Sequence, residues 1–269
     1  MTPPAQALPR KEQSLRILVT AVVCGFALVA GFVAYMLGKS YERHQASAEE
    51  GLQNLTLSIE YFLQAHFQAV DLALQSAATE FRRLDRDPFP AEEFSGFLSG
   101  LRQRLPNAVA IRASDETGVV RYGEGADPVK GISLATRQFF RDTVAEKRLV
   151  FGLPLKSRVS GEWVLPVAYP LTRRSGALGG VAYVNTDRAR ITALFASMRV
   201  GDHGVITLFD QGGRVLIRYP ESGTLVDEQV LTLSAPATVA LLTEGKHSAT
   251  YKTRSSVDGL LRTLTFQRI

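Results

Sequence analysis

The most continuous apolar pattern in the chain lies near its N-terminus, where the 22 residues from Ile17 to Gly38 carry no charge. At about 1.5 Å of rise per helical residue, such a run crosses a hydrocarbon layer of ~30 Å. Its last residues are large, whereas a signal peptide ends a shorter apolar core at a small-x-small cleavage site. The pattern therefore predicts an uncleaved transmembrane helix over residues 17–38, preceded by a short N-terminus, residues 1–16.

A second apolar pattern follows the predicted anchor and has the spacing of three and four that marks one face of a helix. No Gly or Pro interrupts the stretch from Leu52 to Asp87, and Pro88 follows it. We expect a stalk helix over residues 39–87 that ends near Arg86 and packs partly on its own domain and partly on a second copy. The stripe comprises Leu52, Leu55, Ile59, Phe62, His66, Val70, Leu74, Ala77 and Phe81.

Short strand-like segments separated by turn residues replace the helical pattern beyond Pro106. Two strands are predicted at 108–113 and 119–122, joined by an Asp/Gly turn, and a helix over 134–146 follows them. Three more strands complete the order, at Leu149–Gly152, Glu162–Leu171 and Leu178–Thr186. The order predicts an α+β fold with antiparallel sheets.

The pattern then repeats, which is the most informative property of the chain. Asp115-Glu-Thr-Gly118 and its following strand are matched 95 residues later by Asp210-Gln-Gly-Gly213 and its strand. At a shift of 96, Gly161-Glu-Trp163 corresponds to Val257-Asp-Gly259. We therefore expect two tandem modules of one design, the first module over residues 88–186 and the second over 201–269, with a connecting helix in 187–200.

The repeat also predicts where the second module should end. The last strand of the first module would recur at about residues 274–282, beyond Ile269. An unpaired sheet edge promotes aggregation. We therefore expect the second module to lack its last strand and the chain to be part of a longer protein.

The distribution of charge narrows the classes of partner. The chain carries a net charge of +5, but its first 40 residues supply +3 of it, through four Lys and Arg residues against one Glu. The rest is nearly balanced, which argues against nucleic-acid binding. Because Lys and Arg are enriched on the cytoplasmic flank of membrane helices, Arg10, Lys11 and Arg16 predict a cytoplasmic N-terminus, a preference that Lys39 and Arg43 weaken.

The sequence contains no pattern typical of a metal site, a disulfide or a reaction centre. Cys24 is the only cysteine, so no intrachain disulfide can form. The histidines share no ligand spacing, and we interpret His66 as a partly buried residue of the stalk. Phosphate loops, nucleophile elbows, and GGDEF or EAL segments are absent. We expect neither a cofactor nor catalysis by this chain.

The anchor, the long helix and the two tandem modules together resemble the double Cache (PDC-type) sensors of bacterial membrane receptors. The resemblance implies two PAS-like modules, of which the first, membrane-distal one holds a small ligand between its sheet and the helix above it. The second is membrane-proximal. The resemblance covers about residues 41–269 and is carried by Ile132–Phe140, Phe151–Pro154, Glu162–Leu171, Gly179–Asp187 and Leu208–Pro220.

In that family, the arginine of an Arg-x-aromatic segment contacts a ligand carboxylate, and Arg137 is the matching residue. A planar guanidinium offers paired donors to a carboxylate, and Phe139 and Phe140 would supply apolar walls. The residues alone favour a solvated Arg137, so this assignment depends on the resemblance. Three aromatic residues of the long strands are further candidates to line the pocket: Trp163 and Tyr169, which alternation places on one face of their strand, and Tyr183 on the next strand. Aromatic residues on a sheet form part of the core as often as they line a pocket.

The chain departs from the amino-acid-binding members at two places. Those members have Trp-Tyr where this chain has Phe139-Phe140, and an aspartate that neutralises the ligand's ammonium where this chain has Asn185. An amide cannot supply that charge, whereas Lys156 and Arg158 add positive charge near the expected pocket edge. We therefore expect a small organic anion, such as a carboxylate, rather than an amino acid.

These features predict a membrane-anchored, periplasmic or extracellular ligand sensor of the bacterial inner membrane that dimerises through its stalk helix. The first four carrier segments are most similar to sensors placed ahead of GGDEF diguanylate cyclases, so we expect that output. A sensor histidine kinase or a chemoreceptor is the alternative within signalling. A ligand-free, anchored dimerisation scaffold is the alternative of another class.

Overall fold

A computed structural model of the chain describes residues 10–126, 131–210, 212–221, 232, 236–254 and 259–269. The chain divides into two compact units, residues 1–54 and 55–269, and helix α1 (Arg10–Arg83) contributes residues to both. The match predicted for Gly161–Trp163 at Val257–Gly259 falls mainly on residues 255–258 and lies outside the described residues.

The first unit exposes the apolar run. Every side chain from Leu18 to Leu37 is exposed, Phe26 and Leu28 among them. Within the described part of the chain, α1 is the one helix that is long and apolar enough to cross a membrane. Contiguous apolar surface of this extent calls for an apolar environment, in agreement with the predicted anchor.

Within the second unit, α1 buries an apolar stripe and ends at Arg83, slightly before the predicted end near Arg86. The stripe keeps most of its predicted positions, from Val70 through Leu74 and Ala77 to Phe81. Phe62 is exposed, contrary to the predicted stripe, and the neighbouring Leu63 is buried. A spacing of four from Ile59 to Leu63 keeps both residues on one helix face.

The other elements of this unit are short helices and strands. Two of them were not predicted from the sequence. Two glycines interrupt the apolar pattern of the helix α2 (Ala91–Gln103), and the strand β4 (Leu155–Lys156) has too few residues to show an alternating pattern. In chain order the elements are α2 (Ala91–Gln103), β1 (Ala108–Ser114), β2 (Val120–Gly123), α3 (Gln138–Glu146), β3 (Val150–Phe151), β4 (Leu155–Lys156), β5 (Trp163–Thr172), β6 (Leu178–Asp187), α4 (Arg188–Ser197), β7 (Ile206–Phe209), β8 (Val215–Tyr219), α5 (Pro236–Thr243), β9 (Ser248–Arg254) and β10 (Leu261–Gln267).

Strands β1 to β6 form one antiparallel sheet in the order β2-β1-β6-β5-β3, and β4 also pairs with β5. One face of this sheet packs against α1 and α2 and includes Val167 and Val184. The opposite face packs against α3 and includes Ala168 and Val181. Among the described residues, the strands of the second module form two separate antiparallel pairs, β7–β8 and β9–β10. The predicted α+β fold with antiparallel sheets is confirmed.

The two repeated Asp/Gly turns have the same construction. A side-chain oxygen of Asp115 accepts from the backbone N–H four residues later at 3.0 Å, and Asp210 does the same at 2.9 Å. The N–H of Gly118 donates to the Asp115 carbonyl, and that of Gly213 to the Asp210 carbonyl. Both glycines have positive φ, 86° and 75°, which is unfavourable for residues with a Cβ. The sequence repeat is therefore a structural repeat at these turns.

His66 makes the stability of the second unit depend on pH. Its ring is buried against β6, with Nε2 3.4 Å from the Thr186 hydroxyl, and burial lowers its pKa. The unfolded chain, in which this pKa is about 6.5, then binds the proton more tightly than the folded chain. The stabilising effect of a neutral His66 is complete above that value and is lost as the pH falls through the lowered folded-state pKa.

We therefore expect the melting temperature of the full chain in detergent to fall between pH 7.5 and pH 5.5, and to fall less steeply in His66→Gln. Differential scanning fluorimetry measures both slopes, and His203→Gln, a change at an exposed histidine, is the control. Parallel curves for the wild-type chain and His66→Gln would contradict this expectation.

Candidate functional site

The segment before α3 pairs with the start of β2 and closes over one face of the sheet. The N–H of Val120 donates to the Ile132 carbonyl at 2.8 Å, and the N–H of Leu134 donates to the Gly118 carbonyl at 2.7 Å. This pairing holds residues 132–134 at the sheet edge and brings the start of α3 above β5 and β6.

A recess lies between this segment, the β4 region and the sheet. Its side chains enclose little free space in this conformation, far less than a small-molecule site holds. A ligand would therefore have to displace side chains on entering, as is common at binding sites. The lining residues are Ile132, Leu134, Arg137, Phe139, Leu155, Ser157, Arg158, Val159, Tyr183 and Asn185.

Arg137 is buried at this recess. The helix α3 begins at Gln138, and Arg137 is its N-cap residue in extended conformation (φ −76°, ψ 136°) rather than a residue of the predicted helix. Only 4% of Arg137 is exposed, which overturns the solvated position that the residues alone favoured. Its Nη2 donates to the Lys156 carbonyl at 2.9 Å, an arrangement that fixes the guanidinium at the recess. The Lys156 side chain is exposed.

Four of the seven predicted site residues meet at the recess. Arg137, Phe139, Tyr183 and Asn185 all line it, and the rings of Phe139 and Tyr183 lie 5.8 Å apart between centroids. Phe140 is buried in the same apolar cluster but does not line the recess, because its ring packs toward the Gly118 turn.

Trp163 and Tyr169 lie on the wrong face of the sheet to line the recess. Alternation does place them on one face of β5, as predicted, but Tyr169 packs with the cluster under α1 and α2. The recess face of β5 instead carries Ala168, the register partner of Tyr183. Sequence alternation shows which residues share a face without showing which helix covers that face.

The described residues that line the recess include cations but no acid. Arg158 lies at its edge, where Nη1 donates to the Ser133 carbonyl at 2.7 Å and Nη2 to the Thr136 hydroxyl at 3.2 Å. Asn185 is buried and neutral. The electrostatic character of the recess is therefore suited to an anion.

Sequence reasoning missed Arg112, which lies beside the recess. Arg112 of β1 is the register partner of Tyr183 of β6, so the two side chains project from the same face. Burial raises the pKa of Tyr183 to about 12, against the opposing effect of the adjacent Arg112 guanidinium. The phenol therefore stays protonated at neutral pH and can donate a hydrogen bond. The available signal was a charged residue within the apolar strand Ala108–Ala113.

No protein-family model matches the chain. Solved structures with a similar fold are informative instead. The extracellular domain of a protein named as a histidine kinase, rpHK1S-Z16, is 25% identical to this chain, with a TM-score of 0.65 over 79% of this chain and 85% of that one. The fold is that of an extracellular sensory domain.

Two chemoreceptor domains have the same sensory-domain fold. The ligand-binding domain of the Pseudomonas aeruginosa PAO1 amino acid chemoreceptor PctC, in complex with GABA, is 17% identical, with a TM-score of 0.54 over 81% of this chain and 98% of that one. The periplasmic sensory domain of the Campylobacter jejuni chemoreceptor Tlp1 is 13% identical, with a TM-score of 0.57 over 77% and 84%. The sequence-based recognition of a Cache-type sensor fold is thereby confirmed, and these neighbours are sensory rather than catalytic domains.

Proposed function

We propose that this chain is the membrane-anchored, extracytoplasmic input domain of a bacterial signal transducer, and that its recess binds a small organic anion. The buried Arg137 guanidinium carries this proposal, because it lies at a recess whose described lining residues include no acid. A carboxylate that enters would gain charge-assisted hydrogen bonds from this guanidinium.

An amino acid is a poorer ligand for this recess than a simple carboxylate. Its ammonium group would lose water on binding, and burying an unpaired charge is costly. Asn185 can accept a hydrogen bond from an ammonium but supplies no negative charge. The observed positions of Asn185 and Arg137 at one recess support the preference inferred from the sequence.

The apolar helix and the fold together support the proposed location. An apolar helix near the N-terminus and a sensory-domain fold support an anchored domain outside the cytoplasm of a bacterial inner membrane, with residues 1–16 inside. Exposed apolar residues of α1 in the second unit, Tyr61 and Leu72, support homodimerisation through the stalk helix. Chemical crosslinking in membranes at substituted Tyr61→Cys tests the dimer.

The output stays a proposal with three candidates. The 25% sequence identity to the extracellular domain of a protein named as a histidine kinase supports a kinase output, and the chemoreceptor neighbours support receptor signalling by the same fold. The sequence similarity of segments such as Ile132–Phe140 and Glu162–Leu171 to sensors of GGDEF proteins favours a diguanylate cyclase. The complete coding sequence of the gene distinguishes these, since a GGDEF segment and a kinase core have characteristic motifs.

Ligand binding is tested with the full chain in detergent and a matched panel of carboxylates, ω-amino acids and amines of two to six carbons, among them butyrate, γ-aminobutyrate and butylamine. Carboxylates at about 100 times their Kd should add roughly 2.7 kcal/mol and raise the melting temperature by at least about 5 °C. Amines should have no effect, and amino acids should bind more weakly than the carboxylates. No shift with any member of the panel would favour the ligand-free scaffold.

A further inference from the structure

Arg112 is a buried cation with an unused donor. It lies between the buried Ile111 and Ala113 on β1, and only 4% of it is exposed. Its Nε donates to the Glu124 carbonyl at 2.6 Å. Its Nη1 is fully buried and has no hydrogen-bond partner within the part of the chain that the structure describes. Buried guanidinium donors are almost always satisfied, so this one requires an explanation.

The position of the guanidinium connects it to the recess. Arg112 lies beside the Tyr183 hydroxyl, and Tyr183 forms part of the recess wall. On its other side, a Cβ placed on Gly125 would lie 3.5 Å from Arg112 Nη2 and 3.4 Å from a methyl of Val159, another lining residue. Arg112 itself does not line the recess but adjoins Tyr183, which does, so its donors reach a ligand only if the Tyr183 ring moves.

We propose that Arg112 is a second anion-recognition group of this recess and that the ligand is a dicarboxylate, bound by Arg137 at one end and by Arg112 with Tyr183 at the other. The inference rests on the proposed function. Arg112 presents donors to the phenol oxygen, which leaves the phenol proton to donate to the ligand.

Charge balance distinguishes a dicarboxylate from a monocarboxylate. A monocarboxylate that binds Arg137 would leave Arg112 buried without a counter-charge among the described lining residues, whereas a dianion would bring one carboxylate to each guanidinium. A purely structural role, in which Arg112 braces the loop at Glu124 and the Tyr183 phenol, would use Nε and the donors that face the phenol. It would give no reason for a buried, unpartnered Nη1.

The test compares the affinities of dicarboxylates from malonate to adipate with those of monocarboxylates of the same carbon number. Isothermal titration calorimetry on the full chain in detergent measures them. The wild-type chain should bind one dicarboxylate at least about tenfold more tightly than its monocarboxylate partner, the value of one charge-assisted hydrogen bond. Arg112→Met should abolish the preference for the dicarboxylate and leave the monocarboxylate affinity within about threefold of the wild-type value. Tyr183→Phe should reduce the preference. Arg148→Met, which removes an exposed charge, is the control.

Three results would overturn this inference. Equal wild-type affinities for both classes would reject it while the proposed function stands, and an equal loss of both affinities in Arg112→Met would assign Arg112 a structural role. Binding of no carboxylate at all would reject the proposed function and this inference with it. Should Arg112→Met fail to fold, Arg112→Lys replaces it: the preference should shrink but persist, and an equal weakening of both classes would overturn the inference.

Discussion

Arg137→Met is expected to lower the affinity of the recess for carboxylates by at least about a hundredfold, because two charge-assisted hydrogen bonds are lost and each contributes roughly 1.5 kcal/mol or more. Arg137 is buried and held at the recess by the Lys156 carbonyl, so it is already oriented and does not lose side-chain freedom on binding. Calorimetric titration of the full chain with the tightest carboxylate of the panel measures the change.

Arg158→Met is the matched comparison, because Arg158 also lines the recess but is exposed. An exposed guanidinium is solvated and screened, so we expect this variant to lose less than about fivefold in affinity. Melting temperatures without added carboxylate must be compared as well, since Arg137→Met also removes the donor to the Lys156 carbonyl. Equal losses of affinity in the two variants would show that general positive charge, rather than a directed guanidinium, attracts the anion.

Phe81→Ala is expected to destabilise the second unit by about 3–5 kcal/mol. Phe81 is 1% exposed, and its ring centroid lies 5.0 Å from that of Phe89 and 5.5 Å from that of Phe94. The ring also covers Gly179, where any side chain would collide with it. The truncation therefore leaves a cavity that the surrounding core cannot fill by a small shift.

Urea unfolding of the full chain in detergent, followed by circular dichroism, measures this loss. Leu261→Ala, which removes an exposed side chain from β10, should change the free energy of unfolding by less than about 0.5 kcal/mol. A cost for Phe81→Ala below about 1 kcal/mol would mean that α1 is not held to the sheet by this cluster.

Much of the fold could be predicted because its signals are local. The apolar run of residues 17–38 has the length of a membrane span, and the boundaries of β5 and β6 follow from alternating apolar residues and flanking turns. The Asp115 and Asp210 turns were found as a repeat because an aspartate and a glycine at fixed offsets form the same local hydrogen bonds. Two interrupted or very short elements, α2 and β4, carried too little pattern to be found.

The candidate site was predicted in part. Arg137, Phe139 and Asn185 came from the family resemblance and Tyr183 from its position on a long strand, and the structure brings all four to one recess. Their roles in binding stay predictions. Arg112 could not be predicted as a neighbour of the site, because it lies beside Tyr183 only through the pairing of β1 with β6, two strands that are far apart in the chain.

By itself, the sequence determined the membrane-length apolar run, the α+β order of elements, the form of the Asp/Gly turns and the absence of any catalytic motif, because each depends on neighbours within a few residues. The tertiary structure alone decided which face of the sheet carries the recess. Alternation placed Trp163 and Tyr169 together, but only the packing of α1 and α3 on opposite faces put them away from Arg137. Burial of Arg137 and Arg112 is likewise a result of long-range packing, which no local pattern encodes.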